Sequence, residues 1–450
     1  MKNSKIFLAG ILALLSLSAC SEFLDVKSDS KYDEEYVFGN MEEINRALNA
    51  CYTYMLDGNT YGGAYYSTFC LNSDVEYATS TSDMQSSAGT DYKQFDATSA
   101  GSHLEKTWQS AYRNIEYCNN FITAAEVSPM MAENEAELMQ MIGEAKCIRA
   151  MNYHDMVILF GDVPFSLVRA ADAPMVMEVA DRETILKALI NDLKEASKSM
   201  QFAASLDGGV QRCSKEFAWA LIARMSLTAG GYSLRPGAST ADKGTMERPS
   251  NYKDYYQTAM EYAGKVISEG NHSLKKRYDQ YFIDQCNYIV TNDDDSIFEI
   301  PYTKGINGNV GYNWGPAYDM NGTETQMHDG SAAVWGKTSG SNMLNVFYRF
   351  SFDEKDLRRN YVCGTALWKY GSDGKVAMRL DPWTAYCGKW SKLWTETGNA
   401  MGAISEGNTG INFPYMRYAD VLLMYAEAAN EVNEGPTAEA IDAFKQVRRR

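Results

Sequence analysis

Residues 144–164 read EAKCIRAMNYHDMVILFGDVP and combine a helical repeat of apolar side chains with an abrupt stop. The repeat begins upstream at Leu138 and spaces its apolar positions by three or four residues, as one face of an α-helix requires. It ends at Phe160, because Gly161 tolerates left-handed backbone and Pro164 cannot continue a helix. The segment predicts a long buried helix, and its Gly-Asp-Val-Pro motif is interpreted as a helix stop and not as a binding site.

The same helical spacing recurs on both sides of this segment. A first helix is predicted after Asn40, which can cap it with Glu43 three residues later. Small and aromatic residues fill the contact stripes, as in tetratricopeptide pairs, although no strict repeat period is visible. The sequence therefore predicts a mainly α fold, a tetratricopeptide-like α-solenoid scaffold with long irregular loop insertions and a few short strands. Further helices are predicted at 108–122, with Trp108 in the core, from about 182 to 196, from the cap Ser214 to 225, and at 255–266 before Gly270.

Two regions interrupt the helical pattern. Residues 57–102 are rich in Gly, Ser, Thr, Asp and Tyr, which is typical of a long loop. Residues 296–302 predict a short strand, and the irregular stretch that follows carries six of the eight tryptophans. A helix returns with Tyr415, and a last one begins near Thr437. Because that helix reaches the end of the sequence in mid-pattern, we expect the chain to be truncated there.

The N-terminus has the features of a lipoprotein signal. Two lysines precede a short uncharged apolar run, and Leu-Ser-Ala-Cys follows at residues 17–20. The run is too short to cross a bilayer, and a small residue stands before the break, so a cleaved signal peptide is predicted. The motif resembles a lipobox, in which Cys20 receives acyl chains, each contributing about 0.8 kcal/mol per buried methylene. The predicted organisation is a signal peptide at 1–19, a lipidated tether at 20–39, the helical scaffold at 40–300, a Trp/Tyr-rich loop insertion at 301–413 and a returning helical pair at 414–450.

Composition excludes several classes of partner. The chain has 42 basic and 58 acidic residues, a formal net charge of −16, which disfavours nucleic acids and anionic headgroups as ligands. Eight cysteines remain besides Cys20, and none has the C-x-x-C spacing of a zinc or thioredoxin-like site. Buried free thiols are the favoured interpretation. Two disulfides stay open as alternatives, namely Cys51–Cys70 and Cys363–Cys387.

Five segments together resemble the SusD/RagB family of Bacteroidetes. The residues already quoted match its A-x-x-x-R-A-x-x-Y helix and the following F-G-D-V-P. The segment NFPYMRYADVLLMYAE at 412–427 is similar to the family's R-Y-A-D-V-L-L-x-Y-A-E-A signature. The matches run from near the anchor to the end of the chain, and they lack only the family's C-terminal stretch. Three further agreements are the helix from Trp108 to Asn119, the Asp192-Leu193 pair with Ala196, and the segment from Ser214 to Gly230.

This resemblance implies a lipoprotein of the cell outer membrane, held by acylated Cys20 and facing the cell exterior. It implies that the protein captures glycans without cleaving them and closes over a SusC-like TonB-dependent transporter. A peptide-binding or protein-binding role, as in RagB-like proteins, stays open as an alternative. A surface-anchored glycoside hydrolase is a remote third possibility, because 58 acidic residues always offer candidate carboxylate pairs.

Motifs for catalysis or cofactors are weak. The four histidines are scattered, and neither H-E-x-x-H nor G-x-S-x-G occurs. Residues 330–338 approach a phosphate-binding loop but have five residues between the glycines instead of four. The acidic run at 292–295 lacks the spacing and glycine of an EF-hand, and a solvated loop is the favoured interpretation. We expect no metal and no cofactor.

Aromatic residues in the irregular regions are the candidates for ligand binding. A pyranose presents C–H groups on its faces and hydroxyls at its edge, so its site needs an aromatic platform beside hydrogen-bonding groups. Tyr312, Trp314, Tyr318 and Trp335 supply such platforms in one loop region. The other region, between the first two helices, offers Asp74, Tyr77 and Tyr92 as a second wall. The resemblance implies that the ligand site lies where these two regions meet.

Overall fold

The computed structural model describes residues 33–67, 69, 73–78, 101–235, 244–314, 318–319, 342–359, 366–370, 376–380, 385–390 and 408–450. Within these ranges the chain forms thirteen α-helices and twelve short strands. The helices are α1 Glu34–Phe38, α2 Met41–Met55, α3 Ala64–Ser67, α4 Ser102–Glu126, α5 Met131–Phe160, α6 Arg182–Ser199, α7 Lys215–Gly230, α8 Tyr252–Glu269, α9 Tyr278–Cys286, α10 Val310–Asn313, α11 Val346–Phe350, α12 Tyr418–Val432 and α13 Ala438–Arg448.

The long helices stack in chain order. Helix α2 packs on α4, α4 on α5, α5 on α6, α6 on α7, α7 on α8, α8 on α12, and α12 on α13. A continuous hydrophobic core runs through most of this stack, because each helix buries apolar residues against its neighbours. The predicted α-solenoid scaffold is confirmed.

Local capping explains where several helices begin and end. The Asn40 side chain accepts hydrogen bonds from the backbone N–H groups of Glu42 and Glu43, at 2.8 and 3.4 Å. Ser214 caps α7 by accepting from Phe217 N at 3.2 Å. Helix α5 ends at Phe160, and Gly161 has a φ of +79°, as expected for the predicted stop.

Buried polar residues join neighbouring layers of the scaffold. Arg149 on α5 donates to Asp192 Oδ2 on α6 at 2.6 Å and to Asn119 Oδ1 on α4 at 2.7 Å. It also donates to the backbone oxygen of Leu167 at 2.9 Å. The Arg149 side chain therefore connects α5 to α4, to α6 and to the segment that follows α5. We interpret Arg149 as a structural residue for this reason.

The strands form small, separate sheets. The antiparallel sheet β1–β8–β11 joins the two loop regions, and β6 pairs antiparallel with β12. Strand β9 pairs antiparallel with β10 on one side and parallel with β7 on the other. The sheets β2–β3 and β4–β5 have two strands each. The strands are β1 Glu76–Ala78, β2 Val163–Pro164, β3 Val179–Ala180, β4 Ser233–Arg235, β5 Thr245–Glu247, β6 Ser296–Ile300, β7 Tyr318–Asp319, β8 Asn342–Leu344, β9 Ala366–Tyr370, β10 Val376–Leu380, β11 Ala385–Tyr386 and β12 Phe413–Arg417.

Tyr415 lies in strand β12, and its assignment to a helix was wrong. Pairing with β6, the strand predicted at 296–302, extends the backbone there, and helix α12 starts only at Tyr418. Asp295 sets this start, because its backbone oxygen accepts from Tyr418 N at 2.6 Å and its carboxylate accepts from Ala419 N at 3.0 Å. Helix α9 was also missed, since its nine residues are too few to show a helical period clearly.

The acidic run at 292–295 is not a solvated loop throughout. Asp294 is buried and lies 3.0 Å from Lys276 Nζ. Asp295 is fully buried, and its carboxylate accepts from Arg417 at 3.2 Å and from Arg450 at 2.5 Å. Ion pairs with lysine and arginine side chains therefore take the place of water around these two carboxylates. Among the described side chains, no group of three or more His, Cys, Asp and Glu residues is arranged to hold a metal ion.

Six cysteines of the described residues are buried free thiols, which agrees with the interpretation favoured from the sequence. Cys51 and Cys387 belong to this group, whereas their alternative disulfide partners Cys70 and Cys363 lie outside the described residues. The others are Cys118, Cys147, Cys213 and Cys286.

Part of the predicted tether is attached to the scaffold. Residues Glu34–Phe38 form helix α1, and the Phe38 ring lies 5.8 Å from that of Phe121. Trp108, predicted to be a core residue, is partly buried and packs on Phe160 at 5.1 Å. In the described part of the chain, no helix is both long enough and apolar enough to span a membrane.

Candidate functional site

A cleft of about 460 Å³ opens where both loop regions meet the helical scaffold. The first loop region contributes residues from 61 to 76, and the second contributes Trp314 and residues from 344 to 390. Scaffold residues form its inner end. Its lining consists of Tyr61, Tyr65, Tyr66, Val75, Glu76, Asp155, Arg224, Trp314, Leu344, Tyr348, Cys387, Lys389, Trp390, Phe413 and Tyr415.

One wall is aromatic and is built around Trp314. Its ring N–H donates to the backbone oxygen of Tyr66, so the polar edge of the indole is already used. Tyr66 is buried and stacks on Phe413, with 4.9 Å between ring centroids and 20° between planes. Trp314 therefore lines the cleft with its polar edge bonded to a residue that is itself buried, which leaves the apolar part of the indole for contact with a ligand.

The turn before α10 positions this wall. Gly308 has a φ of +80°, and a Cβ on it would lie 2.6 Å from Cγ of Tyr302. Tyr302 in turn donates its hydroxyl to the backbone oxygen of Tyr61. This contact joins the second loop region to the first.

The opposite wall is held by the sheet that joins the loop regions. In that sheet Glu76 on β1 lies opposite Leu344 on β8. Trp390 follows β11 with a φ of +55° and donates its ring N–H to Gln285 Oε1 at 2.9 Å. A positive φ at a bulky residue is strained, and this one lies at the cleft. Glu76 and Lys389 place one charge of each sign on this side.

The inner end of the cleft, here called the floor, is polar. Asp155 on α5 accepts a hydrogen bond from the Tyr61 hydroxyl. Burial raises the pKa of the Asp155 carboxyl to about 7, although the Tyr61 hydrogen bond and the charge of Arg224 act in the opposite direction. Arg224 on α7 donates to the backbone oxygen of Tyr415 at 3.2 Å, and its guanidinium lies 5.0 Å from that ring.

The structure brings Trp314 into the cleft but leaves other candidate residues elsewhere. Asp74 is exposed and immediately precedes the lining residues Val75 and Glu76. Tyr312 is half-buried on α10 and is not part of the lining. Tyr77 and Tyr318 lie in strands β1 and β7, which belong to different sheets. Tyr92, Trp335 and the lipidation candidate Cys20 lie outside the described residues.

Several lining residues were missed from the sequence. Tyr61, Tyr65 and Tyr66 lie in the run GNTYGGAYY at 58–66, whose alternation of glycine and tyrosine was a usable signal. Asp155 and Arg224 interrupt apolar helical stripes, as a polar residue facing a cavity would. Nothing in the local sequence indicated that these two residues line the same cleft, since 69 positions separate them in the chain.

Two family models match consecutive parts of the chain. The model of the SusD family matches residues 228–450. A second, described as starch-binding and associating with the outer membrane, matches residues 22–227. The chain belongs to the SusD/RagB family.

Individual members of the SusD family are similar over nearly the whole chain. SusD-like protein P2 of Formosa agariphila is 23% identical over 459 residues, which cover 100% of this chain and 82% of that protein. The SusD homolog of Bacteroides thetaiotaomicron superposes with a TM-score of 0.75 at 21% identity, covering 94% of this chain and 80% of that one. A crystal structure with xylogluco-oligosaccharide superposes with a TM-score of 0.62 at 19% identity, covering 90% and 75%. At these identities the superpositions show a shared fold.

Proposed function

We propose that this SusD-family chain binds oligosaccharides in the cleft, leaves them uncleaved, and delivers them to a SusC-like TonB-dependent transporter. The observation that carries the proposal is that Trp314 lines a cleft with a polar floor. A sugar ring can stack its C–H face on such a platform while its hydroxyls reach Asp155 and Arg224. The similarity to a structure with xylogluco-oligosaccharide supports the same class of ligand.

The proposal includes a lipid anchor at Cys20 on the outer face of the outer membrane. Asp33, the first described residue, follows Cys20 by thirteen positions, so an extended chain of about 3.5 Å per residue could reach about 45 Å. Arg169 lies 3.0 Å from Glu34 on α1, so the tether joins the body beside the segment between β2 and β3.

This same segment is the surface that we assign to the transporter. It exposes several aliphatic side chains, and Met175 and Val176 are almost fully accessible. Protein interfaces favour methionine and disfavour charge at their centre, whereas an anionic lipid surface would require cations. Only Arg169 carries a positive charge between residues 165 and 179. A protein partner on the membrane side fits these properties better than lipid does. The exposed apolar residues are Val168, Met175, Val176, Met177 and Val179.

A glycan screen tests the ligand class. The chain from Ser21 onward, purified without lipid, is expected to bind an oligosaccharide whose length is unchanged after incubation. Trp314→Ala should weaken binding about tenfold, since loss of one aromatic platform costs about 1–1.5 kcal/mol. The control is Tyr117→Ala, which removes an exposed ring on the scaffold that stacks on Tyr54 at 3.8 Å. Calorimetry measures both affinities.

The same screen separates the alternatives. Binding of peptides with no binding of any glycan would replace the proposal by the peptide-binding one. Shortening of the glycan by pure protein, abolished by substitution of one carboxylate, would show a hydrolase.

Co-purification with the transporter tests the partner surface. Val176→Asp places a charge on an exposed side chain, so it should leave folding and glycan affinity unchanged but lower the yield of the complex. Lys187→Asp on α6 is a control that also adds negative charge outside the apolar segment. Equal recovery of the complex with both variants would reject the assigned surface.

A further inference from the structure

Tyr65 carries a buried hydroxyl that has no hydrogen-bond partner among the described residues. Its ring lines the cleft and packs edge-on against Tyr61, with 4.8 Å between centroids. A buried polar group without a partner costs free energy, so native proteins rarely retain one without a reason. Because Tyr65 lines the cleft, a ligand that packs against it can supply the missing partner.

The two charged groups of the floor also retain hydrogen-bonding capacity. Within the described part of the chain, Asp155 receives one hydrogen bond, from Tyr61 to Oδ2, which leaves Oδ1 able to accept. In the same part of the chain, the Arg224 guanidinium donates from Nη1 to the backbone oxygen of Tyr415 and also interacts with the Tyr415 side chain, and N–H groups remain that can donate to a ligand. The floor therefore offers an acceptor, a charged donor and a hydroxyl that can do either.

The scaffold closes the cleft beyond these groups. Asp155 and Arg224 come from α5 and α7, which contact each other directly. Tyr61 and Tyr415 are buried beside them, and their rings lie 5.5 Å apart in an edge-to-face arrangement. A polymer could not continue past the floor, because closely packed side chains leave no passage.

We propose that Tyr65, Asp155 and Arg224 form an end-recognition subsite, which binds two neighbouring hydroxyl groups of the terminal sugar of a neutral oligosaccharide. One hydroxyl donates to the Asp155 carboxylate, and its neighbour accepts from Arg224 or Tyr65. Trp314 then stacks on a sugar nearer the opening. This subsite proposal rests on the proposed glycan binding. It states in addition that the end of a glycan chain or the tip of a branch enters the cleft first.

Two variants remove contacts of this subsite. Tyr65→Phe deletes only the unpartnered hydroxyl, so it should not lower stability, yet it should weaken binding about fivefold. Asp155→Asn keeps an acceptor for Tyr61 but replaces a carboxylate acceptor by an amide, and it should weaken binding about tenfold. The control is Tyr112→Phe, because that hydroxyl donates to Pro164 O at 2.6 Å outside the cleft. It should lower stability and leave affinity unchanged.

The probes are linear glucan, xylan and mannan, each intact and as its hexasaccharide, measured by calorimetry together with xylogluco-oligosaccharides. End recognition predicts equal affinity per chain end for a polymer and its hexasaccharide. Binding of many protein molecules along one linear polymer would overturn the subsite. So would unchanged affinity in both Tyr65→Phe and Asp155→Asn. If Trp314→Ala weakens glycan binding while the two subsite variants do not, the subsite is rejected and the proposed function stands. Absence of binding to every glycan by the unaltered chain would instead reject the proposed function.

Discussion

Two of the acidic residues on helix α5, Glu144 and Asp155, lie about three turns apart, and their surroundings differ sharply. Glu144 is buried in the scaffold and receives four hydrogen bonds, from Tyr52, Gln140 and twice from Arg212. Asp155 lies at the floor of the cleft and receives one, from Tyr61. Among the described residues, the same helix thus carries one carboxylate with four hydrogen bonds and one with a single hydrogen bond.

The two arginines near these acids show the same contrast. Among the described residues, the Arg149 guanidinium hydrogen-bonds with three different residues, whereas that of Arg224 hydrogen-bonds with Tyr415 alone. A satisfied buried network stabilises one arrangement of the core, and an unsatisfied one is retained where a ligand can complete it. Asp155 and Arg224 at the cleft therefore have fewer hydrogen-bond partners in the described part of the chain than Glu144 and Arg149 in the scaffold.

The largest effect is expected in the scaffold. Asp192→Ala leaves the buried Arg149 guanidinium without its anionic partner, and Asp192 also lies 2.9 Å from Lys146 Nζ. Loss of one partner of a buried pair costs about 3–5 kcal/mol of unfolding free energy. Urea unfolding measures it, and the folded fraction should keep the affinity of the unaltered chain. A loss below about 1 kcal/mol would contradict the structural role of Arg149.

A carboxylate-to-amide change at Glu144 should also destabilise. Glu144→Gln directs an amide N–H₂ at groups that donate hydrogen bonds, including Arg212 Nε at 2.6 Å. We expect a loss of about 2 kcal/mol in urea unfolding at neutral pH, as for a hydrogen bond to a charged group. Glu133→Gln, in the first turn of α5 and exposed, is the matched control and should change little.

The same chemical change at Asp155 should have the opposite sign. Its folded-state pKa of about 7 lies above the ordinary value of 3.8, so the folded chain holds a proton that the unfolded chain releases between these pH values. Stability contributed by the neutral carboxyl is complete below about pH 4 and falls as pH rises to about 7. Asp155→Asn should therefore become more stable than the unaltered chain at pH 8, with the difference shrinking towards pH 4. A variant less stable at every pH would show that Asp155 belongs with Glu144.

The smallest effect is expected at the surface. Arg46 pairs with Glu42 and Glu43 at 2.5 and 2.7 Å, but its side chain is 64% exposed. Solvent screening and side-chain entropy reduce such pairs to about 0–1 kcal/mol. Arg46→Ala should leave the midpoint of urea unfolding almost unchanged. A shift as large as that of Asp192→Ala would show that exposed ion pairs stabilise this fold as much as buried ones do.

Much of the scaffold could be predicted from the sequence because its signals are local. The cap at Asn40, the stop at Gly161 and the apolar stripe of α5 each depend on residues within a few positions. The site was predicted only as a meeting of two loop regions, with Trp314 as its one described residue that lines the cleft. Asp155 was overlooked because its partners Tyr61, Arg224 and Tyr415 lie far away in the chain.

The sequence by itself determined the long helices of the scaffold, their order and the SusD/RagB family, since periodicity, caps and signature residues are properties of short segments. Tertiary structure alone decided which aromatic rings face the cleft, and it placed Tyr415 in a strand where periodicity indicated a helix. It also decided that Glu144 accepts four hydrogen bonds and Asp155 one, and that the Tyr65 hydroxyl has no partner among the described residues. The physical reason is that hydrogen-bond satisfaction and burial depend on neighbours from distant segments, which only packing brings together.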